Sequence, residues 1–389
     1  MEEISTTAPP ELQLDNLRAI KVLGKGATGT VFLIHHNSSH LPFALKVVEK
    51  SSAHRRALHE ISVLRRLSAT IPHPFLPYLI ASFENQEFIS WAIPYCPGGD
   101  LNVLRYRQND HVFSPAVIRF YLAEIVCALE HLHERGIVYR DLKPENILVQ
   151  QSGHVTLTDF DLSRDFMPRK PGNRCFCSDQ EEKVNPVPTK NRKFPRGFVL
   201  HKKKLAKSAR VSPVSRRNPS DFPTNERSNS FVGTEEYVSP EVIRGDGHEF
   251  SVDWWALGVL CYEMLYGKTP FKGRNRKETF GKIMLAEPEY MGKPSAVTDL
   301  IGKLLEKDPT RRLGYRRGAC EIKEHHFFHG LRWDLLTELL RPPFVPSSDD
   351  DAELTGGGID VREYFQKSKL PPSPSRDESS PRNVSLTEF

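Results

Sequence analysis

The side chains best suited to chemistry lie in two short polar clusters of the sequence. The first is Tyr139–Asn146, and the second is Asp159-Phe160-Asp161, which begins 13 residues after the first ends. Apolar, strand-like residues lie between them, at Ile147–Val149 and Val155–Thr158. Carboxylate and amide groups at the ends of short strands are suited to supply a general base and ligands for a divalent metal ion. The pattern therefore predicts an enzyme site.

A glycine-rich hairpin near the N-terminus is the first element expected to position a substrate. Leu17–Val22 is predicted to be a strand leading into Gly24–Gly29, a G-x-G-x-x-G pattern, and Val31–Ile34 continues as a strand rather than a helix. Glycines in such a hairpin let backbone amides approach phosphate groups. An ordinary hairpin turn has the same pattern, so the interpretation depends on the residues that follow.

A lysine within an apolar strand is the second positioning feature. Lys46 lies in Phe43–Val48, where an ammonium group is costly to bury unless a carboxylate pairs with it. The helix predicted at residues 52–68 supplies Glu60 as that partner. The alternative is an edge-strand lysine whose ammonium group reaches solvent. His59, the neighbour of Glu60, is assigned no role.

Composition limits the class of protein. The chain has 389 residues, of which 38% are hydrophobic. It lacks the run of about 18 apolar residues that predicts a transmembrane helix. The acidic Met1–Ile4 start does not resemble a signal peptide, and the six cysteines are mostly isolated, which favours free thiols. We expect a soluble intracellular protein.

A basic, proline-rich stretch interrupts the globular sequence. Residues 165–227 contain 16 Lys or Arg against 6 Asp or Glu, an excess of +10 that leaves −5 for the rest of the chain. Its prolines and weak periodicity predict disorder. Such a stretch could bind anionic lipid, direct nuclear import, touch nucleic acid or remain solvated. Interleaved apolar residues, among them Phe194 and Phe198, favour lipid.

Six motifs in a fixed order together carry a family resemblance. They are the hairpin, the strand lysine, the helix glutamate, the two polar clusters and a late motif that includes Arg312. Together they make the chain resemble eukaryotic protein kinases over about residues 17–330. The Tyr-Arg-Asp triplet, Phe231–Tyr237 and the Pro-Pro-Phe tail are similar to the AGC group. Asp161 in place of glycine, and the insert, are similar to the plant family VIII branch, most closely its oxidative-signal-inducible type. The resemblance also implies that Arg312 pairs with Glu241.

The resemblance implies an α+β fold with two lobes. A small antiparallel β lobe with one helix is expected beside a larger, mainly helical lobe, with a disordered basic insert in the activation segment. The expected domains are an N-terminal tail at 1–16, the kinase domain at 17–329 and a C-terminal tail at 330–389. Within the kinase domain we expect the small lobe at 17–93, the hinge at 94–101, the large lobe at 102–329 and the insert at 165–227.

The resemblance further implies roles in transferring the γ-phosphoryl group of ATP with the help of Mg²⁺. Asp141 is expected to be the base, Lys143 to contact the γ-phosphate, and Lys46 with Glu60 to orient the other phosphates. Asn146 and Asp159 are the expected metal ligands. The residues expected at the nucleotide are Leu23, Gly24, Lys25, Gly26, Ala27, Thr28, Gly29, Thr30, Val31, Lys46, Pro94, Cys96 and Asp100.

Substrate choice and activation are also implied. Asp100, Glu145 and Glu263 match acidic positions with which AGC kinases select basic residues near the acceptor serine or threonine; the alternative is that they are ordinary surface or salt-bridging carboxylates. Arg140, beside the base, requires an anion, and we expect a phosphate on Ser230 to supply it. The expected upstream enzyme is a 3-phosphoinositide-dependent kinase.

The C-terminal end departs from the family pattern. AGC kinases often end in Phe-x-x-Phe, which docks on the small lobe or on the upstream kinase, whereas this chain ends in Leu386–Phe389. Docking by this end is expected to be weaker. We expect a monomer in the cytoplasm, at the plasma membrane or in the nucleus. It would act in plant stress, defence or growth signalling on basic protein substrates, with anionic lipid as a partner of the insert and without nucleic acid.

Two other functions are compatible with parts of the sequence. Asp161 restricts a position where glycine allows backbone freedom, which suggests a pseudokinase scaffold. Against this, Lys46, Asp141, Asn146 and Asp159 are all present. Alternatively, the basic insert could make the chain a polybasic lipid-binding module. An active kinase explains the most residues.

Overall fold

The computed structural model describes residues 17–26, 29–34, 42–69, 71–166, 235–247, 249–339, 341–346 and 358–368. These residues belong to one of two units of the chain, and the second, residues 170–226, lies outside them. Predictions for the N-terminal tail at 1–16, Ala27, Thr28, Ser230 and the Leu386–Phe389 end also fall on residues outside the described ranges. Within the described ranges, no helix is both long and apolar enough to cross a membrane.

An antiparallel sheet and one helix form the small lobe. The helix is α1 (Lys50–Ser68), whose backbone leaves helical geometry at Ala53. The sheet has the strand order β10-β1-β2-β3-β5-β4. Its strands are β1 (Arg18–Gly26), β2 (Gly29–Ile34), β3 (Phe43–Glu49), β4 (Ala81–Glu84), β5 (Phe88–Pro94) and β10 (Ile359–Asp360).

Alternation along β3 explains why its lysine faces the helix. Successive side chains of a strand point to opposite sides of the sheet. Phe43, Leu45 and Val47 are buried in one apolar cluster of the small lobe. Val48 instead packs in the main core with residues of α1. Lys46 lies on that second side of the sheet, where its ammonium group reaches α1.

The large lobe is mainly helical, and the expected α+β arrangement is confirmed. Four short strands pair as β6–β9 and β7–β8; they are β6 (Ile137–Val138), β7 (Ile147–Val149), β8 (Val155–Leu157) and β9 (Arg164–Asp165). The helices are α2 (Leu101–Tyr106), α3 (Pro115–Glu134), α4 (Pro240–Arg244), α5 (Ser251–Tyr266), α6 (Arg276–Leu285), α7 (Ala296–Leu304), α8 (Ala319–Lys323) and α9 (Leu336–Leu339).

Local signals set the ends of α3, which leads into the first polar cluster. Ser114 caps its start by accepting a hydrogen bond from the Val117 amide at 3.4 Å, and Pro115 occupies the first position. Gly136 follows the helix with φ 72°, a conformation that glycine adopts most easily. The chain then turns into β6 and the Tyr139–Asn146 stretch.

The C-terminal tail packs on the rest of the chain in two places. The Phe344 ring lies 6.0 Å from that of Phe113. The Phe344 carbonyl oxygen packs against Gly153, where a Cβ atom would come within 2.4 Å of it. Farther on, β10 pairs with β1 and continues into α10 (Val361–Ser368), whose Phe365 is 8% exposed. The sequence did not predict this second contact.

Candidate active site

A compact group of polar side chains forms at the start of β7. Asp141, which is 6% exposed, accepts hydrogen bonds on its Oδ2 from Asn146 Nδ2 and Lys143 Nζ, both at 2.8 Å. Asn146 Nδ2 also donates to the Asp141 carbonyl at 2.9 Å. The short 3₁₀ turn Pro144–Asn146 brings these side chains together. One carboxylate is therefore held in place by a lysine and an amide.

Unusual backbone conformations position the side chains of the two polar clusters. Arg140 and Asp159 have φ of 71° and 58°, values uncommon for residues other than glycine. Asp253, fully buried on α5, accepts hydrogen bonds from the amides of Tyr139 (2.9 Å) and Arg140 (2.8 Å) and contacts His133 Nε2 at 2.8 Å. The core helix thus fixes the strained turn before the base. Sequence reasoning gave Asp253 no role, although it is a carboxylate in an apolar helix.

Lys46 links the small lobe to the second polar cluster. Its Nζ lies 2.8 Å from Glu60 Oε2 and 2.8 Å from Asp159 Oδ1. Burial lowers the pKa of Lys46, but the two carboxylates outweigh burial and hold it above its ordinary value. Burial raises the pKa of Glu60 to about 7 against the opposing effect of Lys46. Lys46 therefore remains protonated between two carboxylates, of which the sequence analysis expected only Glu60 as a partner.

The glycines of the hairpin have two different roles: two leave open space above the backbone, and one allows a close backbone contact. A side chain added at Gly24 or Gly26 would meet no atom within 4 Å, so the fold itself does not require glycine there. Open space above the backbone is what a phosphate group needs to approach its amides. Gly29 differs because its φ is 134° and a side chain there would come within 2.5 Å of the Val47 carbonyl oxygen. Of its neighbours, Thr30 is buried.

The remaining hairpin residues lie around these glycines. Leu23 is 38% exposed, and Lys25 and Val31 pair with residues of the opposite strand in the β1–β2 hairpin. Lys25 Nζ lies 5.9 Å from the centre of the Tyr364 ring in the tail. This contact ties the hairpin to α10 and was not predicted.

The connection between the lobes follows β5. Pro94 is the last residue of this strand and pairs with Phe43. Burial raises the pKa of the Cys96 thiol to about 12, so this cysteine is not a thiolate nucleophile near neutral pH. Asp100 caps α2 by accepting a hydrogen bond from the Val103 amide at 2.8 Å.

The acidic residues expected at the substrate already have partners. Glu145 is exposed and accepts a hydrogen bond from Asn102 Nδ2 at 3.2 Å. Glu263 accepts from Tyr237 Oη at 2.6 Å and from Arg105 Nη2 at 3.2 Å. Burial raises the pKa of Glu263, although both partners lower it. Of these two, Glu145 presents the more exposed carboxylate.

Arg140 lies close to a second guanidinium group. Burial and the charge of Arg164 together lower the pKa of Arg140 to about 10, against the opposing charge of Asp253. Two cationic groups this close provide a setting that an anion stabilises.

Comparison with known proteins identifies the family. The Protein kinase domain family matches residues 17–181 and 218–328. The chain is 62% identical to Serine/threonine-protein kinase UCN of Arabidopsis thaliana, with 97% of this chain and 96% of that protein covered. It is 43% identical to Serine/threonine-protein kinase OXI1 of the same plant (88% and 82% covered), and 42% identical to its Serine/threonine-protein kinase AGC1-5 (88% and 61% covered). The resemblance to plant AGC-group protein kinases is thereby confirmed. The chain belongs to the protein kinase family and is a serine/threonine kinase of the plant AGC group.

Proposed function

We propose that the two polar clusters transfer the γ-phosphoryl group of ATP to a serine or threonine hydroxyl of a protein. The observation that supports this most is that Lys46 contacts both Glu60 and Asp159 while Asp141 lies in its own hydrogen-bonded group. The substrate hydroxyl gives its proton to Asp141 as its oxygen bonds to the γ-phosphorus. The bond from that phosphorus to the bridging oxygen breaks, and ADP leaves with the electron pair.

Charge neutralisation is the main task of the other residues. Lys143 faces the transferred group and Lys46 the α- and β-phosphates. Asn146 and Asp159 would hold Mg²⁺, which neutralises phosphate charge when bound. The donors fit this ion, because Asn146 donates to Asp141 through its nitrogen and keeps its amide oxygen, a hard ligand like the Asp159 carboxylate.

A phosphorylation assay tests this assignment. Wild-type protein should transfer phosphate from ATP to a basic serine peptide, and Asp159→Ala should abolish the transfer. Asp246→Ala, which removes an exposed carboxylate paired with Arg244, is the matched control and should stay active. A pseudokinase scaffold would give no transfer with the wild type or with either variant.

We propose that the substrates carry basic residues near the acceptor. Asp100, Glu145 and Glu263 provide the carboxylates, with Glu145 the most accessible because it is exposed. An oriented peptide library should select Arg or Lys before the acceptor. Glu145→Lys should reduce that selection at one position, and unchanged selection would exclude Glu145.

Activation by phosphate on Ser230 is the regulatory part of the proposal. Arg140, with Arg164 close enough to affect its pKa, supports an anion site beside the base. A 3-phosphoinositide-dependent kinase is the proposed upstream enzyme, with Leu386–Phe389 as a weaker docking end. Under conditions that phosphorylate the wild type stoichiometrically at Ser230, the Ser230→Ala variant should be inactive. Deleting residues 385–389 should slow that phosphorylation.

The basic insert supports a second proposed function, binding of anionic lipid. Its excess of 10 positive charges could add roughly 1 kcal/mol per Lys or Arg near a charged membrane. The protein would then act as a monomer in the cytoplasm and at the plasma membrane, with the nucleus as the other destination. Vesicle flotation of the full chain with and without residues 170–226 tests this. Binding that does not depend on anionic lipid would exclude it.

A further inference from the structure

One face of α1 contacts the start of the activation segment directly through Arg56 and His59 and indirectly through Glu60. Arg56, His59 and Glu60 are spaced at i, i+3 and i+4 and therefore share a helix face. Glu60 acts through Lys46, which contacts Asp159. The other two contacts have no part in the mechanism described so far.

The first of these contacts involves the aspartate that replaces glycine in the motif. The Asp161 side chain is only 7% exposed, and Arg56 Nη1 lies 3.7 Å from its Oδ2. A buried carboxylate without a compensating cation is costly. Lys46 is already held by Glu60 and Asp159, so Arg56 is the cation that α1 supplies to the Asp161 carboxylate.

The second contact fixes the turn that contains Phe160. Ser163 Oγ donates to the Phe160 carbonyl at 2.6 Å, and the Ser163 amide donates to the same oxygen at 3.1 Å. Because the hydroxyl proton of Ser163 is used, His59 Nε2 must be the donor in its 3.0 Å contact with Ser163 Oγ. The Phe160 ring is fully buried, 5.4 Å from the Tyr139 ring.

We propose that Arg56 and His59 are positioning residues that hold Asp159 in line with Lys46 through Asp161 and Ser163. Arg56 does so only because position 161 is aspartate; with a neutral residue there, it has no charge to compensate. The aspartate thus makes the alignment of the metal ligand depend on a cation of α1. This inference rests on the proposed role of Asp159.

Hydrogen exchange measures this alignment without needing catalysis. The Ser163 amide, bonded to Phe160 O, and the Phe166 amide, bonded to Gly136 O at 2.7 Å, exchange only when this segment opens. Arg56→Gln should speed exchange of the Ser163 amide by about 1.4-fold to fivefold, the range for a partly exposed ion pair. Arg56→Lys, which keeps the charge, should restore the wild-type rate.

Dependence on Asp161 is the decisive part of the test. In an Asp161→Asn background, Arg56→Gln should leave the Ser163 exchange rate unchanged. Arg65→Gln is the matched control, because it removes an arginine of the same helix that bonds Ser82 Oγ at 2.9 Å instead. Two results would overturn the role of Arg56. One is a wild-type Ser163 exchange rate in the Arg56→Gln single variant, and the other is an equal acceleration by Arg56→Gln in the Asp161→Asn background. Full activity of Asp159→Ala would instead overturn the proposed catalytic assignment.

His59 is tested separately in the same experiment. His59→Ala should speed exchange of the Ser163 amide whether position 161 is Asp or Asn. His59→Gln keeps an N–H donor and should return part of the protection. Wild-type exchange in His59→Ala would overturn the role of this histidine.

Discussion

Removing Phe365 from the tail should weaken ATP binding although this residue lies far along the chain. Phe365 is 8% exposed, and its ring lies 4.9 Å from that of Phe88 and 6.0 Å from that of Phe32. It anchors α10 against the sheet, next to β10, which pairs with β1. The far end of β1 is the glycine-rich hairpin, and Lys25 of that hairpin contacts Tyr364.

The magnitude follows from the apolar area that Phe365 buries. Complete burial of a phenylalanine contributes about 1.5–3 kcal/mol. Phe365→Ala should therefore lower the free energy of unfolding by an amount in that range or less, because α10 can detach and so limit the loss. If about 1 kcal/mol of that docking energy steadies the hairpin, the KM for ATP rises about fivefold.

Steady-state kinetics and thermal unfolding provide the assay. Phe365→Ala should raise the KM for ATP and leave kcat nearly unchanged, because the base is not touched. Phe365→Leu keeps most of the apolar contact, and Tyr364→Phe keeps the ring; both should stay close to wild type. Wild-type KM and melting temperature in Phe365→Ala would refute the idea that the tail steadies the hairpin.

Three further outcomes follow from single contacts. Arg312→Met should lower the free energy of unfolding in urea by about 3–5 kcal/mol, because it leaves the Glu241 carboxylate buried without its paired cation. Gly29→Ala should lower the melting temperature, since a side chain there meets backbone at 2.5 Å, whereas Gly24→Ala should keep the melting temperature and raise the KM for ATP. Burial lowers the pKa of Lys307 to about 8, so the folded state binds fewer protons than the unfolded chain above that pH. The free energy of unfolding should therefore gain a rising contribution from pH 8 towards 10, which urea titrations of Lys307→Met should lack.

The sequence predicted the parts of the site that depend on short-range pattern. Lys46 in an apolar strand and Glu60 on a periodic helix could be paired because burial of a lysine demands a carboxylate. The buried pair of Arg312 with Glu241, at 2.7 Å, was likewise expected from the family motifs. Asp141, Lys143 and Asn146 lie within one motif, and a 3₁₀ turn brings their side chains together.

Long-range contacts with weak local signals could not be predicted. Asp253 bonds amides more than 100 residues away, and no pattern in α5 indicates which backbone it meets. The tail strand β10 has only two residues, too few for a periodicity to show. Arg56 and His59 face the activation segment only because of how α1 is rotated against the sheet, which tertiary packing decides.

In the proposed mechanism, Asp141 takes the proton of the substrate while Lys46, Asn146 and Asp159 hold the nucleotide. The most direct test compares turnover with ATP affinity in Asp141→Asn, which keeps the shape of the side chain. We expect kcat to fall by about 10²–10⁴-fold, the range for loss of a general base, while the dissociation constant for ATP measured by calorimetry stays at its wild-type value. Turnover close to wild type in Asp141→Asn would contradict the account.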